Sequence, residues 1–287
     1  MKKEDHFSSA WLSSREPYDN LARTKHICEF IKDHNRIVDL GSGTGSFLRW
    51  CLLNNINFSE ILMIDNDLKL LDKFFSLTSS FCKKHDIEFS KISNKHYLLK
   101  KSKESKHSNV ILLRKDIDSQ IDLINDFDVI SLSALSDLLS SGFLSKIFKD
   151  IKKDKILYFS ICFNGKISWN KPHSFDKYIL TAFNRDQQKK KGTQISLGFK
   201  SINKIQTLSK KYNYKCKKFN SSWILESTTE KQKKFHLSYL KTIYQPLKKD
   251  PSIDNEILNK WIEKKLSQIN NSSLVTNVGH NDLIIRT

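Results

Sequence analysis

The stretch IVDLGSGTGSFLRW, residues 37–50, places three of the chain's eight glycines, Gly41, Gly43 and Gly45, at alternate positions. The apolar, β-branched run before the glycines predicts a strand, and the apolar spacing after them predicts a helix. In such a unit the first glycine permits a tight turn, and the next removes a Cβ that would block a ligand. The third glycine comes one residue earlier than in the dinucleotide pattern G-x-G-x-x-G. The stretch therefore predicts a binding site for a ligand other than a dinucleotide.

Acidic residues follow the predicted strands around this turn. Asp39 precedes Gly41 by two residues, where its carboxylate would repel a pyrophosphate but attract an ammonium group, directly or through water. Asp65 ends the second predicted strand, where a carboxylate can accept both hydroxyls of a ribose. The alternative for Asp65 is a cap on the helix that follows. Asp116 comes after the third main strand and can accept the amine of an adenine. Ammonium, ribose and adenine in this order describe S-adenosylmethionine.

Strands and helices alternate along the sequence after a helical N-terminal segment at residues 8–35. This alternation predicts an α/β fold with a doubly wound, mostly parallel sheet. Residues 164–198 interrupt it as a long insertion at the carboxyl end of an apolar strand, where doubly wound sheets bind their ligands. We therefore expect one domain over residues 1–287. Its core should lie at about 35–163 and 199–287, with the insertion as a lid that contacts the substrate.

Four segments resemble motifs of the class I S-adenosylmethionine-dependent methyltransferases, namely VDLGSGTG, MIDND, RKDI and FDVISLSALSDLL. The resemblance covers about residues 35–163. It implies a Rossmann-like sheet of seven strands, S-adenosylmethionine as the cofactor, and methyl transfer as the reaction. It also implies a set of cofactor contacts. These are Asp39, Gly41, Gly43 and Gly45 at the methionine end, Asp65 with Asn66 at the ribose, Asp116 and Ile117 at the adenine, and Ser133 at the floor of the pocket.

Three further segments are similar to features of a poorly characterised bacterial branch of this family: WLSSREPYDNLAR, AFNRDQQKKKG and VGHNDLIIR. This second resemblance names no substrate. The first of these segments contains Trp11, Arg15 and Tyr18, which we expect to form an N-terminal lid over the crevice, with packing as the alternative for Trp11. The last contains His280 and Asp282, which share one face of an alternating strand and favour structural pairing.

Methyl transfer requires little from a protein beyond aligning a nucleophile with the methyl group, and a base helps when the nucleophile is an alcohol or a phenol. The candidate catalytic residues are His173 in the insertion and Asp137 after the strand FDVISLSAL. Asn184 and Gln187 are the candidate substrate ligands. For the three residues of the insertion, the alternative is a solvated polar side chain. We expect the methyl acceptor to be a small molecule that offers an O, N or C nucleophile.

The formal net charge of +18 raises the alternative of an RNA methyltransferase. The excess is mostly lysine spread along the chain, and AT-rich codons would produce it without a nucleic-acid partner. An RNA enzyme would also ordinarily carry an added RNA-binding module or an Asn-Pro-Pro-Tyr-type tetrapeptide where this chain has SLSALSDL. We therefore expect no specific nucleic-acid partner. A non-catalytic subunit that only binds the cofactor is a further alternative, which the retained acids and glycines disfavour.

The five cysteines are scattered, without a C-x-x-C pair or a histidine at ligand spacing. We therefore predict no metal site, and reduced thiols in a cytoplasm. The sequence has no run of about 18 apolar residues that would predict a membrane span, and its basic opening lacks the apolar segment of a signal peptide. The identity of the methyl acceptor and the oligomeric state stay open.

Overall fold

The computed structural model describes residues 8–32, 34–101, 107–191 and 194–287, so residues 192–193 of the predicted lid lie outside the described part. The described α-helices are α1 (Ser9–Ala22), α2 (Ile27–Ile31), α3 (Ser46–Leu53), α4 (Leu68–Lys84), α5 (Ser141–Asp150), α6 (Asp176–Asp186), α7 (Ser201–Lys211), α8 (Glu230–Lys248) and α9 (Asn255–Asn270). The described strands are β1 (Arg36–Leu40), β2 (Glu60–Asp65), β3 (Ile87–Lys91), β4 (His96–Lys101), β5 (Ser108–Arg114), β6 (Val129–Ser133), β7 (Ile156–Trp169), β8 (Lys190–Lys191), β9 (Gln194–Ile195), β10 (Lys215–Asn220), β11 (Trp223–Leu225) and β12 (Thr276–Arg286). In the same described ranges, 3₁₀ helices cover Ile117–Asp126 and Gly198–Lys200.

One large sheet forms the centre of the fold. Its strands follow the order β10-β12-β7-β6-β1-β2-β5-β4-β3, and β11 pairs with part of β12. The central strands β7, β6, β1, β2 and β5 are parallel, whereas the strands at both edges pair antiparallel. β2 pairs with one side of β1 and β6 with the other. The α/β, doubly wound fold is thus confirmed.

The described sheet has ten strands rather than the seven that the family resemblance implies. The additional strands are β3 and β4, which extend one edge antiparallel to β5, and the short β11 on β12. The outer strand β3 is mostly exposed and carries Lys91 at its end, and charged, solvated edge strands resist pairing with other chains. The extra strands therefore widen the sheet without changing the order of its parallel centre.

Both faces of the parallel strands are buried, which explains their nearly continuous apolar sequences. Successive side chains of a strand point to opposite faces, so neighbouring residues of β1 enter different clusters. Ile37 packs in the hydrophobic cluster formed with α2, α3 and α4, and Val38 packs in the cluster formed with α5 and α7. This two-sided burial fixes the carboxyl ends of the strands, where the predicted ligand groups are found.

A third hydrophobic cluster joins α6, α8 and α9 to the far ends of β7 and β12. The two strands are long, and Thr276 of β12 pairs with Trp169 of β7 beyond the parallel part of the sheet. Trp11 and Tyr18 of α1 stack on Phe235 of α8, with ring centroids 5.5 and 4.1 Å apart. Because α6 belongs to the insertion predicted as a lid, α8 and α9 pack with that insertion in the same cluster.

The N-terminal segment forms two helices rather than the single one predicted at residues 8–35. Between α1 and α2, the backbone N–H of Thr24 donates to Asp282 Oδ2 at 2.9 Å. Asp282 also accepts from the Tyr158 hydroxyl at 2.6 Å and from the N–H of Ile161 at 2.8 Å. Asp282 is completely buried, so these bonds satisfy a carboxylate that could not stay unpaired. They also hold the end of α1 against β7 and β12.

Candidate functional site

The loop between β1 and α3 turns through three glycines that all have positive φ, namely 69° at Gly41, 54° at Gly43 and 88° at Gly45. Side chains other than glycine rarely adopt this conformation. A Cβ at each glycine would also approach a protein side chain, respectively Leu135 at 2.8 Å, Leu12 at 3.2 Å and Phe74 at 2.7 Å. The sequence pattern predicts that the missing Cβ makes room for a ligand. In the structure it allows protein side chains to pack directly on the loop.

A cavity of about 280 Å³ opens where β1, β2 and β6 end. The chain leaves β1 toward β2 and later returns to β6 on the other side, and doubly wound folds bind ligands at this switch point. The volume is near the lower end of the range for small-molecule sites. The described residues that line the cavity are Leu12, Arg15, Asp19, Asp39, Gly41, Ser42, Gly43, Thr44, Ser46, Asp65, Asn66, Asp67, Leu70, Ile117, Ser133, Ala134, Leu135 and Leu138.

Asp39 contributes a buried carboxyl group to this cavity, with only 1% of the residue exposed. Its Oδ1 has no hydrogen-bond partner among the described residues, and the neighbouring Ser131 hydroxyl lies outside hydrogen-bonding geometry. Burial raises the pKa of Asp39 to about 7, while the nearby Ser131 hydroxyl and the positive charge of Arg23 oppose the shift. Burying a polar group without a partner is costly, and a cation would favour the ionised form. Asp39 is therefore suited to a positively charged ligand group.

Asp65 ends β2 and fixes the glycine loop. The N–H of Gly43 donates to its Oδ2, and the N–H of Asp67 donates to its Oδ1, both at 2.8 Å. Burial raises the pKa of Asp65, while these two backbone bonds act in the opposite direction. The cap of α4 belongs to Asp67, whose side chain accepts from the N–H of Lys69 at 2.8 Å. Asp65 is thus left with acceptor positions for a ligand, since each carboxylate oxygen accepts more than one hydrogen bond.

Helix α1 covers the cavity with one face, because Leu12, Arg15 and Asp19 follow helical spacing and all line it. Arg15 donates to Asp19 through Nε at 3.0 Å and through Nη2 at 3.2 Å. The indole N–H of Trp223 also donates to Asp19, at 3.1 Å. Arg15 is a predicted lid residue, whereas the sequence analysis gives Asp19 no role. The available signal was the i, i+4 spacing of opposite charges.

Arg23 follows α1 and is almost fully buried. Its Nη2 donates to the Ser133 hydroxyl at 2.7 Å, and its Nη1 donates to the side chain of Asn20 at 3.0 Å. Its Nε has no partner among the described residues. Ser133 lines the cavity as the predicted floor, but its hydroxyl already accepts from Arg23. Arg23 therefore links the end of α1 to the end of β6.

A buried ion pair connects α1 to the glycine loop. Arg49 of α3 meets the carboxylate of Glu16 through Nε and Nη2, each at 2.7 Å. Its Nη1 donates to the carbonyl of Thr44 at 2.7 Å and to the hydroxyl of Thr78 at 3.1 Å. Thr44 belongs to the glycine loop and lines the cavity. Arg49 therefore couples the position of α1 to that of the loop.

We expect Arg49→Met to lower the free energy of unfolding by about 3 kcal/mol, because removing one partner of a buried pair leaves the other uncompensated. The double variant Glu16→Gln/Arg49→Met removes both charges and should recover part of this loss. Urea unfolding followed by circular dichroism would measure both variants. An Arg49→Met protein as stable as the parent would contradict the role assigned to Arg49.

The two residues predicted at the adenine are placed differently. Ile117 lines the cavity. Asp116 is exposed and is not among the lining residues, and its Oδ1 accepts from the N–H of Asp118 at 3.0 Å. This bond caps the 3₁₀ helix that begins at Ile117. The structure therefore gives Asp116 a capping role, and its contact with an adenine stays a prediction.

The insertion residues predicted to act on the substrate do not line the cavity. At the start of α6, the ring nitrogen Nδ1 of His173 accepts from the backbone N–H of Phe175 at 3.2 Å. The backbone N–H of His173 donates to the Asp176 carboxylate at 2.7 Å. Asn184 donates to the carbonyl of Gly165 at 2.9 Å. The backbone turn before α6 thus occupies one ring nitrogen of His173, and α6 directs Asn184 toward β7.

Asp137 and Gln187 both contact Gly198, at the end of the insertion. The N–H of Gly198 donates to the carbonyl of Asp137 at 2.9 Å, and a Cβ at Gly198 would lie 3.3 Å from the Gln187 side chain. Neither Asp137 nor Gln187 lines the cavity, although Leu135 and Leu138 on either side of Asp137 do. Asp137 is therefore the candidate base that the chain holds next to the cavity.

Neither a metal site nor a membrane span is found in the described part of the chain. No group of three or more His, Cys, Asp or Glu side chains in that part could hold a metal ion. No described helix is both long enough and apolar enough to cross a bilayer. All five cysteines are free.

Comparison with known proteins finds only distant likenesses. No family model matches the sequence, and no curated protein matches it significantly. Among solved structures, the YcgJ protein from Bacillus subtilis matches with a TM-score of 0.45 and 13% identity, over 92% of this chain and 99% of that one. A SAM-dependent methyltransferase from Archaeoglobus fulgidus matches with a TM-score of 0.43 and 14% identity, over 97% of this chain and 99% of that one. A phosphoethanolamine N-methyltransferase from Haemonchus contortus matches with a TM-score of 0.40 and 13% identity, over 96% of this chain and 56% of that one. TM-scores below 0.5 do not determine the family of this chain.

Proposed function

We propose that this protein is an S-adenosylmethionine-dependent methyltransferase that acts on an O, N or C nucleophile of a small molecule. One observation carries the proposal. Asp39, Asp65 and residues 41–44 of the glycine loop line a single cavity at the switch point of the sheet, and Gly45 lies outside the lining. A carboxyl group at the end of β1 suits an ammonium group, and a carboxylate at the end of β2 suits the hydroxyls of a ribose.

The described residues fit this cofactor chemically. The Oδ1 of Asp39 is buried without a partner, and a ligand ammonium group would supply one. Asp65 keeps acceptor positions toward the cavity. Leu70, Ile117 and Leu138 add apolar walls, which suit a flat base and agree with the mixed lining typical of cofactor sites.

The chain's part in the reaction is to hold and align two reactants. When bound, the cofactor supplies a methyl group on a positively charged sulfur, which a nucleophile can attack. The face of α1 that packs on the glycine loop would exclude water from the reacting groups. Where the acceptor must lose a proton, we propose Asp137 rather than His173, because Asp137 lies between two residues of the lining. Asn184 and Gln187 stay predicted substrate ligands.

The proposal includes three finer points. We propose that the protein belongs to the poorly characterised bacterial branch of the family and works in a cytoplasm. We also propose that its domain divides into a core at about 35–163 and 199–287 and a lid at 164–198. The packing of α6 with α8 and α9 supports a lid that is larger than the insertion alone. An RNA methyltransferase stays the alternative function on account of the net charge of +18, and a non-catalytic cofactor-binding subunit is the second alternative.

A labelling experiment separates these functions. The protein would be incubated with methyl-labelled S-adenosylmethionine and, in parallel, with a protein-free metabolite extract or with total RNA, with Asp65→Ala as the control. We expect the label in a small-molecule fraction, in an amount that falls with Asp65→Ala. Mass spectrometry of that fraction would identify the acceptor. Label in the RNA would favour the RNA enzyme, and cofactor binding without transfer to either pool would favour the non-catalytic subunit.

A further inference from the structure

Positive charge is concentrated in one continuous segment of the chain. Between Asp186 and Glu226 the sequence contains ten lysines and no Asp or Glu. Part of this segment forms the end of α7, the turn that follows it and the edge strand β10. Lysines alternate there with aromatic residues in the run KKYNYKCKKF, residues 210–219, and all five of these lysines are exposed. The net charge of +18 therefore includes a local cluster of cations without neighbouring acids in the sequence.

Cations also face one another where β10 pairs with β12. Lys215 of β10 lies directly opposite Arg286 of β12, and like charges in this position destabilise a sheet. Lys217 follows Lys215 on the same face, and both Lys217 and Arg286 lie over the ring of Phe30, at 5.2 and 5.7 Å from its centre. None of these three cations forms an ion pair with a described residue. A ligand that carries several negative charges would relieve this repulsion.

The opposite edge of the sheet carries charges of both signs. The edge strand β3 contains Glu88 and Lys91, and a charged residue is one of the devices that discourage an edge strand from pairing with another chain. The edge strand β10 instead contains Lys215, Lys217 and Lys218, and it pairs with β12 on one side and with no described strand on the other. Three charges of one sign exceed what protection of an edge requires. They are better explained by an anionic partner.

Aromatic rings lie among these cations on both faces of β10. On the face toward α7, Tyr212 stacks on Tyr214 with ring centroids 5.8 Å apart, and Lys211 lies 5.4 Å from the centre of the Tyr212 ring. On the face toward α2, His26 stacks on Phe219 with centroids 4.7 Å apart. Tyr212 and Phe219 are half-buried, so each keeps some surface toward the solvent. Nucleic-acid bases stack on such rings while cations beside them bind the phosphates, whereas an acidic polypeptide uses the cations alone.

We propose that this surface binds single-stranded RNA, with phosphates at its cations and bases against its rings. We call the surface the basic edge, and it consists of Lys211, Tyr212, Lys215, Lys217, Lys218 and Arg286. Single strands in cells are mainly RNA, and their unpaired bases are free to stack. Such binding is sequence-tolerant, because every base has a face that stacks. No residue of the basic edge lines the cavity, so the inference is independent of the proposed function.

Fluorescence anisotropy with a labelled single-stranded RNA of about 12 nucleotides, measured over a series of salt concentrations, tests the proposal. The variant Lys215→Gln/Lys217→Gln/Lys218→Gln should bind about tenfold to a hundredfold more weakly than the parent at about 0.1 M salt. Its plot of log K against log salt should be shallower by about 2, because each phosphate contact on a single strand contributes about 0.7 to the slope. The substitutions also remove like charges, so the variant should unfold at no lower urea concentration than the parent.

Two further variants separate the location of the charge from its amount and from stacking. Lys231→Gln/Lys234→Gln/Lys241→Gln is the matched control, because it removes the same charge from exposed positions on α8. It should keep the slope of the parent and an affinity within about threefold of the parent's, since salt screens distant charges. Tyr212→Leu removes a ring and no charge, so the affinity should fall about fivefold to tenfold while the slope stays unchanged.

The outcomes separate this inference from its competitors and from the proposed function. A parent that binds no RNA, a triple variant of β10 that binds like the parent, or an equal loss in the α8 control would overturn the basic edge as the binding surface. A Tyr212→Leu protein with unchanged affinity, equally tight binding of duplex RNA, or displacement of the RNA by polyglutamate at equal charge would overturn the assignment to single-stranded RNA. Asp65→Ala should bind the RNA like the parent, so cofactor binding and RNA binding report on the two proposals separately.

Discussion

Asp65→Ala should lower the affinity for S-adenosylmethionine by about tenfold to a few hundredfold. The substitution leaves the ribose hydroxyls without a charged acceptor, and a hydrogen bond to a charged group contributes about 1.5–3 kcal/mol. The same carboxylate accepts from the N–H groups of Gly43 and Asp67, so its loss also loosens the glycine loop. Calorimetric titration of the folded variant with S-adenosylmethionine would measure the effect.

Asp254→Ala is the matched control for this experiment. Asp254 caps α9 by accepting from the N–H groups of Glu256 at 2.8 Å and Ile257 at 3.2 Å, and it does not line the cavity. Each substitution removes a carboxylate that accepts two backbone hydrogen bonds, so each should cost about 1 kcal/mol of stability. Only Asp65→Ala should lose affinity. If it stays folded and binds like the parent, Asp65 does not hold the ribose.

The affinity of the parent for S-adenosylmethionine should rise between about pH 6 and pH 8, and Asp39→Asn should abolish the rise. Burial raises the pKa of Asp39 to about 7, so at pH 6 the carboxyl group is mostly protonated and attracts an ammonium group only weakly. Its nearby charged groups are Arg23, which favours ionisation, and Asp65, which opposes it. Below this pKa the affinity should fall by up to about tenfold per pH unit. Titrations at several pH values would test this.

Asp39 should have the opposite effect on the stability of the ligand-free protein. Its pKa in the folded state lies above the unfolded value of 3.8. The contribution of Asp39 to the free energy of unfolding is therefore fully present below pH 3.8 and is lost as the pH rises through about 7. At pH 8, Asp39→Asn should therefore be more stable than the parent, by on the order of 1–4 kcal/mol. The difference should shrink at pH 5. Thermal unfolding at the two pH values measures it, and equal stability at pH 8 would argue against a strained, buried carboxylate.

The parts of the site that the sequence predicts are those governed by local patterns. The run before Gly41 has the composition of a strand buried on both faces, and the glycines mark a turn that needs positive φ. Parallel strands bring their carboxyl ends to one edge, so Asp39 and Asp65 were expected to lie together, and both line the cavity.

The parts that the sequence does not predict depend on contacts between distant residues. Asp19 receives its hydrogen bond from Trp223, 204 positions away, and no periodicity within α1 indicates that partner. The ion pair of Arg49 with Glu16 likewise joins residues 33 positions apart, on two different helices. Asp116 shows the opposite problem. A carboxylate before a helix start can cap it or bind a ligand, and the sequence alone does not distinguish these uses.

A crystal structure of the protein grown with excess S-adenosylhomocysteine would locate the cofactor. We expect the ligand in the cavity between α1 and the glycine loop, with its ribose hydroxyls within hydrogen-bonding distance of Asp65 and its ammonium group facing Asp39. A ligand bound elsewhere on the protein, or a cavity that stays empty at saturating concentration, would contradict the assignment of this cavity to S-adenosylmethionine.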